Sequence, residues 1–271
     1  LLSILIVTGG CIRLAMAALV IGLTGPFLML FLSKSLAKMS HHIQEIDPEN
    51  FRSKNEEQLY RVVKGLAAKA GLKTIPELGI YNSPDMNAFA TGWSKNHSMV
   101  AFSSALLEKM DERAISSVAA HEIAHIANGD MLSMTLIQSA VNTVVTLLDI
   151  GISLALSEDD KRAKGEVMVT VLRWIIVTVC MFLGNLFVLW FSRFREFAAD
   201  RLAAKLIAPD AMIGALNFLK NDESLQIPSD TAQAQTAYAS FKISSKSAFM
   251  DIFSTHPSLK RRIEKLRTLK Q

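Results

Sequence analysis

Two cysteines in 271 residues are too few for a disulfide framework, and both Cys11 and Cys180 lie in apolar segments where small hydrophobic packing is their simplest role. Cysteine usage therefore gives no sign of an oxidising compartment. A basic stripe is missing as well. The formal net charge is only +4, with lysines and arginines dispersed among acidic residues, which argues against a nucleic-acid partner. The opening residues lack a basic leader and a persuasive small-residue cleavage site, so a membrane segment is expected there in place of a cleavable signal peptide. No internal repeat is visible.

What the chain has in excess is apolar sequence. Half of its residues are hydrophobic and the mean hydropathy is +0.28. These residues are clumped: residues 14–32 are nineteen without a charge, and residues 174–191 are eighteen more. A helix of the first length spans about 28 Å, close to the roughly 30 Å hydrocarbon thickness of a bilayer. An integral membrane protein is implied. The rest of the chain has ordinary charge density and enough length to bury a catalytic-sized core, which disfavours a pure channel or transporter.

The chain opens on Leu1, and its first twelve residues are apolar but too few to cross a bilayer, so this segment is expected to be truncated at its start. A Thr24-Gly25-Pro26 step should kink the first confident span, residues 14–32. From residue 33 to 130 the composition turns soluble. Leu59, Val62, Val63, Leu66, Ala67 and Ala70 make a helical face that Gly71 is placed to end. Residues 76–81, 87–92 and 98–102 are short extended pieces of a small sheet. Asp111 can cap a helix running through Ile115, Val118 and Ala119 into His121. Residues 131–192 read as a transmembrane helical hairpin interrupted by the charged stretch 158–166, and its first arm carries Gln138, Asn142 and Asp149 on a polar face. Residues 193–271 form a C-terminal part in which 226–246, rich in Ser, Thr, Ala and Gln, look like a mobile loop. Within about twenty residues of the span ends, Lys34, Lys38, Arg52, Arg113, Arg193, Arg195, Arg201 and Lys205 lie on one side, against Lys161, Arg162 and Lys164 on the other. That excess puts the soluble parts in the cytoplasm.

The most informative pentapeptide is His121-Glu122-Ile123-Ala124-His125. On a helix, positions four apart differ by about 40° around the axis, so both imidazoles can reach one metal, while Glu122 lies about 100° from His121. Zinc suits such a site: it lowers the pKa of bound water toward about 7, and a neighbouring carboxylate can take the proton and pass it to a leaving amine. The bland alternative is two core histidines and a surface glutamate. A catalytic zinc site needs a third ligand and one open position. Asn128 and Met131 stand where a metzincin would carry glycine and histidine, which excludes that subclass. Asp130 falls about 140° around the helix from His125 and reads as a terminal or membrane-interface residue. Glu196 is the better candidate, because the hairpin returns it to the face of the membrane that carries His125. Asp200, one turn further on, could accept a hydrogen bond from a ligand imidazole.

Four stretches, HEIAHIANGDM, REFAAD, SPDMNAFATG at residues 83–92 and Thr255-His256-Pro257, resemble in content and order the HtpX-like membrane zinc metalloproteases, relatives of the CAAX prenyl endopeptidases. The likeness runs from Leu14 onward and departs at the N-terminus, where the family's first transmembrane helix is mostly missing. It implies an endopeptidase of the bacterial inner membrane, linked to heat shock and to quality control of damaged membrane proteins. It also implies one zinc held by His121, His125 and Glu196, with Glu122 as general base. Asn87, Ala88, Phe89, Ala90 and Thr91 resemble a segment that pairs with a substrate strand. His256 and Arg262 resemble a pair that stabilises an oxyanion.

The expected protein is a mainly α integral membrane protein, with transmembrane helices plus a helical zincin-type protease domain and a small β-sheet. Its expected partners are polypeptide substrates, unfolded or membrane proteins, and the lipid bilayer. A catalytically silent, zinc-stabilised membrane scaffold has no need of Glu122. A zinc-handling transporter should carry its ligands inside the spans, which His121, His125 and Glu196 flank.

Overall fold

The protein is described from a computed structural model, in which residues 2–155, 165–225 and 257–270 are placed. His256 and the loop expected at 226–246 lie outside the described residues. The elements run in the order α1 (Leu2–His41), β1 (Gln44–Glu45), α2 (Lys54–Lys69), β2 (Glu77–Tyr81), β3 (Ala88–Ser94), β4 (His97–Ser103), α3 (Ser104–Lys109), α4 (Glu112–Asn128), α5 (Asp130–Ala155), α6 (Glu166–Leu206), α7 (Pro209–Leu225) and α8 (Leu259–Arg267). The fold is that of a mainly helical membrane protein with a small mixed sheet.

The chain folds as two compact units interleaved in sequence. The first comprises residues 1–32 and 132–190, the second 33–131 and 191–271. Among the described residues, three helical stretches, Arg13–His41, Asp130–Leu154 and Val167–Leu206, are long and apolar enough to cross a membrane. Within the first unit small residues let helices touch. A Cβ on Gly22 would fall 2.8 Å from the Thr143 Cα, and one on Gly184 would fall 2.4 Å from Val141 Cγ1. Large apolar side chains such as Val20, Val144, Trp174 and Phe182 stay on the outside, as lipid-facing residues do. Asp149 and Arg173 join α5 to α6 through two hydrogen bonds of 2.6 and 2.7 Å. The helix α1 continues unbroken through Pro26.

The second unit is built on a sheet of order β1-β2-β4-β3, with β2 and β4 parallel and the outer pairs antiparallel. Strand β4 is central and is buried from Ser98 to Ser103, as a run without polar alternation should be. One sheet face supplies Leu78, Val100 and Phe102 to the main core, with Val63 and Leu66 of α2, Ile123 and Ile126 of α4, Leu216 of α7 and Leu266 of α8. Against the other face Tyr81, Met99 and Ala101 meet Ala37 of α1 and Phe89. Lys34 and Lys38 near the end of α1 both pair with Glu77 at the start of β2, at 2.7 and 2.9 Å. That leaves β3 as an edge strand. Its far end needs glycine: Gly92 has φ 130, and a Cβ there would sit 2.2 Å from the His97 carbonyl oxygen.

Candidate metal centre

Helix α4 starts where Asp111 accepts the Ala114 N–H at 2.7 Å and stops at Gly129, whose φ of 73 is the left-handed conformation that ends helices. Ala119, Ala120 and Ala124 give the buried sides of the helix little bulk, so His121 and Glu122 are enclosed by neighbouring elements despite their polarity. Glu196 and Asp200 come from the last turns of α6 and are 1 % and 2 % exposed, among Ala199, Ala203 and Ala204. The long helix α6 thus carries both acids one turn apart on a buried face.

The donor atoms converge. His121 Nε2 lies 3.1 Å from His125 Nε2, and the two Glu196 oxygens lie 3.4 Å from one imidazole each. A tetrahedral ion with bonds of about 2.0–2.1 Å spaces its ligands about 3.3–3.4 Å apart, so the chain already holds these groups at coordination spacing. Two imidazole nitrogens this close cannot both present protons to each other. The chemistry of the set, two imidazoles and one carboxylate, fits a zinc-like ion.

Each imidazole is gripped from behind through its other nitrogen. His121 Nδ1 faces Asp200 Oδ1 at 3.1 Å, and His125 Nδ1 faces Asp130 Oδ2 at 2.6 Å. Asp200 is itself held by Arg262, whose Nε and Nη2 donate to its two oxygens at 2.8 and 2.6 Å. Arg262 Nη1 is 3.6 Å from Glu196. Burial opposes charge on His125, but hydrogen bonds to Asp130 and Glu196 outweigh it and push its pKa up to about 10. For His121, burial and Arg262 oppose charge, and hydrogen bonds to Asp200 and Glu196 prevail. The centre thus favours a cation, and a bound metal ion meets that preference with both imidazoles neutral. Glu122 is pushed up chiefly by burial, against the pull of the two histidines and the N–H of Ala90.

That Ala90 contact locates the edge strand. Ser103 N–H donates to the Asn87 carbonyl at 2.9 Å, so alternation along the ladder turns the N–H groups of Ala88 and Ala90 outward, and Ala90 meets Glu122 there. The edge of β3 therefore runs beside α4. Ser103 Oγ also accepts the Asn87 N–H at 3.0 Å, pinning the strand's entry.

A family model for peptidase family M48 matches residues 53–270, spanning both histidines, Glu122, Glu196, Asp200 and Arg262. The chain belongs to peptidase family M48. It is 43% identical over 250 residues to the protease HtpX homolog of Bacillus subtilis, covering 92% of this chain and 82% of that one. It is 39% identical to protease HtpX of Haemophilus ducreyi, covering 94% of this chain and 86% of that one. Among solved structures the S. mikatae Ste24p crystal structure shares its fold, with a TM-score of 0.61 at 16% identity; the match covers 96% of this chain and 62% of that one. Family M48 membership and the three candidate spans make this a membrane metalloprotease.

Within the M48 fold, the other residues singled out in the sequence are placed as follows. Asn87 precedes β3, and Ala88, Phe89, Ala90 and Thr91 lie in it. Arg262 is buried with two of its nitrogens committed to Asp200. Two histidines without ligand spacing pack on aromatic rings instead: His41 on Tyr81 and Phe89, with ring centroids 5.1 and 5.4 Å away, and His97 on Trp93. Asp130 opens α5 and a candidate span, as a terminal residue should, and it has a partner that the sequence did not announce: it is 5 % exposed and bonded to His125. The 140° estimate continued α4 past Gly129, where the helix in fact ends. The glycine following Asn128 was the signal available.

Proposed function

We propose that this chain is a zinc endopeptidase with one ion held by His121, His125 and Glu196, and that it cleaves extended segments of unfolded or membrane proteins in stress-linked quality control. The observation that carries the reading is the coordination spacing of these three side chains with a buried carboxylate, Glu122, beside them. Bound there, the ion supplies Lewis acidity for the scissile carbonyl and lowers the pKa of water. Glu122 takes the proton from the attacking water and hands it to the leaving amine. Asp200 keeps His121 protonated on Nδ1, and Arg262 keeps Asp200 in place. His256 serves as the oxyanion partner on the strength of its sequence context, and Arg262, engaged with Asp200, acts there through charge. The outward N–H and C=O groups of Ala88 and the C=O of Ala90 offer a substrate strand its main-chain bonds. A partner of this kind must be extended, so tightly folded proteins are poor substrates. We place the site on the cytoplasmic side of a bacterial inner membrane, where its surroundings are basic.

The test is turnover of an unfolded polypeptide by the full chain in detergent. A chelator should stop it and zinc restore it. Glu122→Gln should lower turnover by about 10²–10⁴-fold while keeping one ion per chain. Undiminished cleavage by that variant would sink the mechanism, and loss of the ion would mean that the ligands are misassigned.

A further inference from the structure

We infer that Asp130 is a positioning residue of the metal centre, whose carboxylate fixes His125 with Nδ1 protonated and Nε2 presented to the ion, and that Arg195 clips Asp130 in place. This rests on reading His121, His125 and Glu196 as the ligands.

The contact between Asp130 Oδ2 and His125 Nδ1 is 2.6 Å, in the range of charge-assisted hydrogen bonds. The opposite ring nitrogen is the one facing His121 and Glu196. An imidazole has two ways to hold one proton, and a carboxylate at Nδ1 selects the form with a lone pair on Nε2.

Two features of the chain bring Asp130 there. Gly129 in the left-handed conformation ends α4, and Asp130 opens α5 at once, so its side chain turns back onto the last turn of α4. Arg195, the residue before Glu196, donates from Nη1 to the Asp130 backbone carbonyl at 3.0 Å. The residue behind one ligand is thereby tied to the neighbour of another. The carboxylate is almost wholly buried, and only specific partners make that tolerable. The first turn of α5 and the nearby Arg195 charge supply them.

Asp200 does the corresponding work for His121, but both of its oxygens accept from Arg262 and the one that faces the ring is shared. Among the described residues, the Asp130 side chain makes its hydrogen bond to the ring of His125 alone. Its loss therefore acts directly on His125.

The experiment uses the full chain in detergent, stripped of metal, with Zn²⁺ affinity read by competition against a chromophoric chelator and geometry read from the visible absorption of bound Co²⁺. Asp130→Ala should weaken Zn²⁺ binding by about 10- to 100-fold and alter the Co²⁺ bands. Asp130→Asn keeps an oxygen for the Nδ1–H and should restore the Co²⁺ spectrum, with an affinity between the two. Arg195→Met should lose less than Asp130→Ala. Unchanged affinity and spectrum in Asp130→Ala would overturn the proposal. So would an asparagine variant as impaired as alanine with an equally lowered unfolding midpoint of the metal-free protein, which assigns Asp130 to folding alone. Should Asp130→Ala not fold, Asp130→Asn decides: an affinity loss of about threefold or more at unchanged midpoint supports the role, and no loss overturns it. His125→Ala separates the two levels: if it binds Zn²⁺ as well as the unsubstituted chain, the ligand reading itself falls and takes this inference with it.

Discussion

Arg262 stands between two buried acids, bidentate on Asp200 and 3.6 Å from Glu196, and a buried charge is tolerated only while its partners remain. Arg262→Met takes the guanidinium from Asp200 and Glu196 and leaves them only the two imidazoles as partners, and should cost up to about 3–5 kcal/mol of stability. A lowered unfolding midpoint of the metal-free protein is the measurement, and an unchanged one would mean that water reaches these acids. Glu196→Gln should behave differently from Glu122→Gln, losing the ion and turnover together, since a neutral amide oxygen is a far weaker zinc ligand than a carboxylate; chelator competition beside a peptide assay distinguishes them. At this scale HEIAH and Glu196 were legible, because a four-residue helical spacing and a returning hairpin are both written in the chain. Asp130 was not, since one residue in the left-handed conformation voids any angle counted through it. The buried Arg262 pair was equally hidden. Its partners lie 62 and 141 positions away, and no local period reports such a contact.

Among the elements, β3 carries the strictest conformational demand. Gly92→Ala would force φ 130 on a residue with a Cβ and press that atom against the His97 carbonyl, so the β3-β4 pairing at the bulge should open. The expected result is faster amide exchange in β3 and a fall in peptide turnover with the metal retained; unchanged exchange would mean that the hairpin can shift to make room. The strap between α1 and the sheet responds to acid. Burial raises the Glu77 pKa, but Lys34 and Lys38 outweigh it and hold the carboxyl below the usual range. A depressed pKa gives stability that is present above the unfolded value, about 4.3, and is lost as pH falls through the folded one. Glu77→Gln should therefore remove part of the stability difference between pH 6 and pH 3, read from denaturant midpoints at the two values. Of these elements, α2, α4 and the strands β2, β3 and β4 were legible from periodicity and caps, whereas the two residues of β1 carry no pattern. The length of α6 was not: the apolar run of 174–191 announces a span, whereas residues up to Leu206 continue the same helix with charges and alanines that carry no membrane signal.

For the whole molecule, the basic residues flanking the spans make a topological prediction. With Cys11 and Cys180 replaced, a membrane-impermeant thiol label applied to intact cells should reach a cysteine at Asp160 and fail to reach one at Lys73, and the reverse pattern would turn the site to the other side of the membrane. Composition switches between apolar and mixed near the unit boundaries at residues 32, 131 and 190. What composition did not carry was how closely the pieces on either side of the hairpin would meet. That arrangement also has a timetable. Glu196, the proposed third ligand, lies 71 residues after His125, so at about 5–20 residues per second synthesis needs roughly 4–14 s to pass from the second histidine to it. Throughout that interval the nascent chain displays an HExxH helix without the full set of groups that hold an ion. A hydrolase divided in this way is born inert beside the ribosome, and it gains its cutting power only after its own membrane hairpin has been made.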